Sequence, residues 1–286
     1  MQMLRVLNYN VHFFPPWLER LEACFFPASY QGNSTIRFAA LLSALRKTDA
    51  DVILLTELWD PSRIEQLMEE ISDTWPYIAV PPRTPCFRML NSGLVLLSKL
   101  HIVEFEFEPF VESGGVDHFA GKGILSATLE NGLRVMGTHT QANYNDTSKY
   151  NATQKAQVEQ LLRHAASVRP QLVLGDFNME VSSENFQTLA QGLGRLKGLS
   201  HAVPQPATQR VNQKFTEAYA VAKGRHRNYI FAEHLLHLYE DPLTETAFAS
   251  TYCYTDAHGE QYMLSDHLPM LALIDLPSPT TSFVFA

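Results

Sequence analysis

Short apolar runs recur along the chain, and several end in a polar or acidic residue. Residues 4–11, Leu-Arg-Val-Leu-Asn-Tyr-Asn-Val, carry Asn8 and Asn10 on one face and read as a first strand. Val52-Ile53-Leu54-Leu55 is a continuous apolar run that ends in Thr56-Glu57 and reads as a second, buried strand. Strand patterns crowd together over residues 92–98, 102–107, 123–129 and 133–139, and return at 172–176, 228–231, 235–239 and 270–276. Helical spacing fills the gaps between them. Phe38, Leu41, Leu42 and Leu45 follow a cap at Ser34, and Ile64, Leu67, Met68 and Ile71 follow Pro61 at a first helical position. Two more helices are predicted over residues 155–168, through Val158, Leu161, Leu162 and Ala165, and over residues 183–193, through Phe186, Leu189 and Leu193. Strands and helices therefore intermix, with no repeat and no linker, which predicts one α/β domain over residues 1–286.

Two stretches stand apart. Asn131-Gly132 between strand patterns predicts a hairpin with a type I′ turn. Residues 12–33 contain Phe13, Phe14, Trp17, Phe25 and Phe26 with Pro15 and Pro16, and the prolines predict an irregular segment. Such a segment either folds against the core or offers an apolar surface to lipid or a partner.

Composition narrows the class. A chain of 286 residues with 45% hydrophobic content has ample core, and no apolar run approaches the roughly 18 residues of a membrane span. Formal charge is -8, from 22 basic against 30 acidic residues, so the overall field opposes a nucleic-acid backbone. The first ten residues enter a strand pattern without a secretory signal, which leads to the expectation of a cytoplasmic protein, or one exported by a signal-independent route. Cys24, Cys86 and Cys253 are too scattered for a local metal motif and read as core or free thiols.

The chemistry gathers at the strand ends. Leu172-Val173-Leu174-Gly175-Asp176-Phe177-Asn178 sets a carboxylate and a carboxamide two positions apart, on one face if the chain stays extended. By itself this is equally a turn, with the Asx side chains capping the backbone. Asn10, Glu57, His139 and the pair Asp266-His267 occupy similar positions, and each alone has a structural explanation. Together they offer oxygen ligands that suit Mg²⁺, imidazoles that move protons, and donors that neutralise phosphoryl charge. That combination is what metal-assisted phosphoester hydrolysis requires.

In chain order, Asn10, Thr56-Glu57, Thr138-His139, Gly175-Asp176-Phe177-Asn178 and Ser265-Asp266-His267 resemble the endonuclease/exonuclease/phosphatase superfamily over nearly the whole chain. The resemblance implies a four-layered α/β sandwich: two packed, mostly antiparallel sheets flanked by helices, with the site at one end. Gly121-Lys122-Gly123 and Gly137-Thr138-His139-Thr140-Gln141-Ala142 are similar to segments of the bacterial neutral sphingomyelinases. For that group it implies a metal held by Glu57, with Asn10 and Asp266 close by; the ion would be Mg²⁺, with Mn²⁺ or Co²⁺ as substitutes. It further implies His267 as general base, Asp176 and Asn178 positioning water and phosphate, and His139 assisting the leaving alkoxide. Lys122, Gln141 and Asn228 fall among substrate-binding positions, and Asp117 matches an acid that pairs with the lysine. One departure is Asn228-Tyr229-Ile230-Phe231, where the family usually has Asp first: an Asn supplies no charge to the base. The implied partner is a phospholipid or sphingolipid at a membrane surface, met by a monomer, with Tyr144 and Tyr150 as candidates for a choline contact. A nuclease or an inositol-phosphate phosphatase of the same fold, and a binding module with a weakened site, are the alternatives.

Overall fold

The computed structural model describes residues 2–25, 34–83, 88–143, 148–197, 200–201, 228–232, 235–239, 252–255, 259, 261–265, 267 and 269–276. Along the chain these form β1 (Gln2–Phe13), α1 (Pro16–Phe25), α2 (Ser34–Lys47), β2 (Val52–Leu58), α3 (Pro61–Ile71), β3 (Tyr77–Ala79), β4 (Val95–Ser98) and β5 (Ile102–Pro109). There follow β6 (Gly123–Leu129), β7 (Arg134–His139), α4 (Asn151–Val168), β8 (Leu172–Asp176), α5 (Glu184–Lys197), β9 (Ser200–His201) and β10 (Asn228–Ala232). The last strands are β11 (Leu235–Tyr239), β12 (Cys253–Thr255), β13 (Gln261–Met263) and β14 (Met270–Leu276).

Two six-stranded sheets share one plan. Their orders are β11-β14-β1-β2-β4-β3 and β5-β6-β7-β8-β10-β9, with β12 and β13 forming a separate ribbon. In each sheet the central pair is parallel, β1 with β2 and β7 with β8, and the other described neighbours are antiparallel. A parallel pair needs a crossover. The chain supplies α1 and α2 for the first and α4 for the second. The expected architecture of two mostly antiparallel sheets flanked by helices is the one observed.

Three apolar layers hold the sandwich together. Leu4, Val6, Val52 and Leu54 of one sheet meet Leu125, Val135, Leu172 and Leu174 of the other. Their alternate neighbours Leu7, Tyr9, Ile53 and Leu55 face Phe38, Leu41, Leu45 and Leu67 of the helices, and Met136 and Val173 face Val158, Leu161 and Phe186. Packing at the centre is tight: between the sheets a Cβ on Gly137 would lie 2.7 Å from Leu54, and within the second sheet one on Gly175 would lie 2.3 Å from the Thr138 carbonyl oxygen of the neighbouring strand β7.

Three expectations are corrected. Residues 12–33 are not wholly irregular: β1 continues to Phe13 and Pro16 opens α1, because proline is tolerated in a first helical turn. Phe13 is buried edge-on against Phe38, which leaves Trp17, 44% exposed, as the open aromatic there; the Phe25 side chain and Phe26 lie outside the described residues. The 129–133 hairpin closes through Gly132 N–H to the Leu129 carbonyl, with positive φ at Gly132 and not at Asn131, so its turn is not type I′. Finally, α4 starts four residues before the expected 155, because its first turn, Asn-Ala-Thr-Gln, carries only an exposed alanine to mark it.

Cys253 is a free, half-buried thiol that burial pushes up to about 12, while Cys86 and the Cys24 side chain lie outside the described residues. Among the described residues no helix is long and apolar enough to cross a membrane.

Candidate active site

Alternation along β1 sends Leu4, Val6, Asn8 and Asn10 into the space between the sheets. Asn8 Nδ2 donates to the Gly175 carbonyl at 2.8 Å and so joins the two central strand pairs. Asn10 Nδ2 donates to both Glu57 Oε1 at 2.8 Å and Asp176 Oδ2 at 2.9 Å, while its Oδ1 accepts from His12 N–H at 3.1 Å. Those partners fix which end of the carboxamide is which. Asn10 bridges two carboxylates through its amine, with its oxygen turned to the backbone.

Glu57 reaches this point by breaking the strand's alternation. Parity would group it with Ile53 and Leu55 on the helix side. Its φ of 60° instead puts it in the left-handed region, where a residue with a Cβ pays of order 1–3 kcal/mol. The β1/β2 register also shifts between Asn10 and Phe13, where His12 has φ 52°. This bulge turns the Glu57 carboxylate to Asn10. With 17% of its side chain exposed, Glu57 is the open edge of an otherwise buried cluster.

Asp176 is both turn and site. Alternation in β8 places it with Leu172 and Leu174, facing the other sheet. Oδ1 accepts from Asn178 N–H at 3.0 Å, closing an Asx turn, and Oδ2 accepts from Asn10. Asn178 is not carried on by the strand: β8 ends at Asp176, and Asn178 takes φ 50° with Nδ2 donating to the Thr140 carbonyl at 3.1 Å. Burial alone would raise the Asp176 carboxyl, but His267, His139, Asn10 and the Asn178 N–H outweigh it and hold the group below the usual carboxylate range.

His139, at the end of β7, has Nε2 3.7 Å from Glu57 Oε1 and 3.9 Å from Asp176 Oδ2. Behind it the buried Lys122 ammonium lies 3.1 Å from Nε2, 2.8 Å from Asp117 Oδ2 and 3.1 Å from the Thr140 carbonyl. A cation donating to Nε2 leaves the imidazole proton on Nδ1. Burial and then Lys122 push His139 down to about 4, so it is neutral at neutral pH. Asp117 goes the same way as Asp176: burial opposes ionisation, and Lys122, the Ala142 N–H and His139 prevail. Lys122 thus spends its three donors inside the protein and meets the site through His139.

His267 Nε2 lies 3.7 Å from Asp176 Oδ2, and Ser265 Oγ accepts from its backbone N–H at 3.1 Å. Ligand atoms of Glu57, Asp176 and His267 all lie within 4.8 Å of one another. The two carboxylates at that spacing fit a hard divalent cation, with the imidazole of His267 beside them as a group that can move a proton. The expected set of Glu57, Asn10 and Asp266 overlaps this one at Glu57; Asp266 lies outside the described residues. Asn228 pairs with Asp176 across β8 and β10, but its side chain is outside the described part, as is Tyr144. Tyr150 packs over Gly114 and Gly115. Gln141 is buried, with Oε1 accepting from Gly114 N–H at 2.8 Å and Nε2 donating to the Ala142 carbonyl at 2.9 Å.

Arg37 and Trp59 are among the residues that escaped the sequence reading. Arg37 of α2 donates to the Val11, His12 and Leu264 carbonyls at 3.0, 2.8 and 2.9 Å and lies 3.7 Å over the Phe13 ring, so it ties the end of β1 to the segment that leads to His267. Its signal was a charged residue on the apolar stripe with Phe38 and Leu41. Trp59 is buried beside His139, ring centres 5.8 Å apart, and packs where Gly93 has no side chain.

The chain is similar to several known proteins. Sphingomyelinase C of Listeria ivanovii is 23% identical over 265 residues, covering 79% of this chain and 75% of that protein. Beta toxin of Staphylococcus aureus, in a crystal structure with bound magnesium ions, has a TM-score of 0.70 at 19% identity, over 96% of this chain and all of that one. Sphingomyelinase C of Streptomyces griseocarneus has a TM-score of 0.68 at 19% identity, over 96% and 100% of the two chains. At these identities the structural likenesses establish the fold. Residues 7–267 match the Endonuclease/Exonuclease/phosphatase family, and the chain belongs to it.

Proposed function

We propose that this protein is a Mg²⁺-dependent phosphodiesterase that hydrolyses sphingomyelin, or a related choline phospholipid, to release phosphocholine. The observation that carries this reading is the convergence of Glu57, Asp176 and His267 beside a neutral His139 and a buried Lys122. The sphingomyelinases among its relatives support the substrate class, and the magnesium in beta toxin supports the ion.

Glu57 and Asp176 would hold the Mg²⁺, with Asp266 as a further carboxylate of the sequence pattern. The ion, when bound, polarises a phosphoryl oxygen and steadies the leaving oxygen. His267 takes a proton from water as the water oxygen bonds to phosphorus in line and the phosphorus–oxygen bond to the ceramide alkoxide breaks. Asp176, 3.7 Å from Nε2, stabilises the imidazolium that results, and so provides the charge that Asn228 lacks. Asn178 and the His139–Lys122 pair counter charge on the phosphoryl and leaving oxygens. Gln141 supports this set by holding the loop at Gly114. The partner is a membrane surface, approached by a monomer.

Sphingomyelin vesicles with Mg²⁺ should yield phosphocholine, and His267→Ala should reduce the rate by about a hundredfold or more. No release by the wild type, or equal release by the variant, overturns the reading; faster cleavage of plasmid DNA than of lipid moves the substrate class to nucleic acid.

A further inference from the structure

Within the buried face of α4 runs a row of polar side chains, Gln154, Gln157, Gln160 and His164, each at most 9% exposed. Their spacing of three, three and four residues keeps them on one stripe. Each binds chain outside the helix, with Glu108 shared by Gln160 and His164 and Gln141 shared by Gln157 and Gln154. Gln160 accepts from Val111 N–H at 3.1 Å and donates to Glu108 Oε1 at 2.6 Å and the Pro109 carbonyl at 3.0 Å. Gln157 accepts from Gln141 N–H and donates to the Glu112 carbonyl, at 2.8 and 2.7 Å. His164 lies 2.6 Å from both Ser126 Oγ and Glu108 Oε2. Ser126 is a buried mid-strand residue of β6, so this Ser-His-Glu line fastens the helix to the sheet and is no nucleophile.

Gln154 differs in what it holds. Its Nε2 donates to the Gln141 carbonyl at 2.8 Å and to the Asn178 carbonyl at 2.9 Å, and its Oε1 accepts from Asn143 Nδ2 at 3.2 Å. Gln141 comes two residues after His139 at the end of β7, and Asn178 two after Asp176 at the end of β8. One carboxamide therefore spans both loops that leave this central parallel pair. Asn178 sits at φ 50°, in the left-handed region that Asn tolerates, and its carbonyl in that turn is bound by Gln154. Without Gln154, the carbonyls of Gln141 and Asn178 would be buried and lack this donor, which favours rotation of both turns.

We propose that Gln154 is a positioning residue of the active site, which clamps the loops after β7 and β8 and thereby sets Asn178 and the Asp176 turn relative to His139. The proposal rests on the phosphodiesterase reading of that site. Gln160→Leu is the matched control, since it empties an equally buried position of the same helix whose partners are Val111, Glu108 and Pro109. With sphingomyelin vesicles and Mg²⁺, Gln154→Leu should lower kcat by about a hundredfold with little change in KM, as expected for a misplacement near 1 Å. Gln160→Leu should keep kcat within about threefold while lowering the melting temperature at least as much. Equal kcat losses in the two variants, or an unchanged kcat in Gln154→Leu, overturn the proposal. If the wild type cleaves no phosphodiester, the functional reading fails on its own, and hydrogen exchange decides this one. The Asn178 amide should then exchange faster in Gln154→Leu and not in Gln160→Leu; any other pattern overturns it.

Discussion

The ammonium of Lys122 lies 3.1 Å from Nε2 of His139, inside the protein, with Asp117 on its other side. Removing the lysine leaves a buried carboxylate without its cation. Lys122→Met should therefore cost about 3–5 kcal/mol in urea denaturation. Adding Asp117→Asn should recover part of that loss, and a double variant no more stable than Lys122→Met would contradict the pairing. Lys122→Met by itself should raise the His139 pKa, because Lys122 is among the groups that lower it.

The neutral His139 makes stability depend on pH in a defined window. Its folded value of about 4 is depressed from an ordinary 6.5, so between those limits the unfolded chain binds more protons. Stability should fall as pH drops from 6.5 towards 4, by up to about 1.4 kcal/mol per unit from this group. Asp176 and Asp117, depressed below 3.8, add their losses only below that window. Urea denaturation of EDTA-treated protein between pH 7 and 4.5 should give a shallower slope for His139→Gln than for wild type.

Metal binding should be read in the heat of mixing and in the melting temperature. Titration of the wild type with Mg²⁺ should show a single set of heats that Glu57→Gln removes. At a hundredfold excess over Kd the ion should stabilise the wild type by about 2.7 kcal/mol and the variant by far less. Identical stabilisation of both proteins would exclude Glu57 from the ion's shell.

Tight packing between the sheets at Gly137 and between strands β7 and β8 at Gly175 predicts an order between two glycines. Gly175→Ala drives a Cβ into the backbone carbonyl of Thr138, which cannot move aside, and should cost about 2–3 kcal/mol or more. Gly137→Ala meets only the flexible end of Leu54 and should cost less, with Leu54→Ala relieving it. Thermal denaturation of Gly175→Ala, Gly137→Ala, Leu54→Ala and the Gly137→Ala, Leu54→Ala double variant tests the order.

Alternation alone fixed which residues could meet. Asn10 shares a face with Leu4 and Val6, His139 with Val135, and Asp176 with Leu172 and Leu174, so burying those aliphatics between the sheets carries each polar group to the same end. That much is local, because a strand's period is two wherever it lies. Glu57 and Asn178 escape it, since each takes a positive φ, which Asn tolerates and Glu rarely adopts, and each is bound by contacts from distant strands or from α4. The same limit hid the shared plan of the two sheets, which is a matter of strand direction and order and leaves no repeat in the residues. It also hid Arg37 and the glutamines of α4, which look misplaced on apolar stripes until the carbonyls they bind are brought to them. The sequence by itself determined the residue types at the strand ends and the faces they share. Only the tertiary structure decided that Asp176 serves a turn with one oxygen and the site with the other, because its partner Asn10 is 166 residues away and reaches it only when the sheets close.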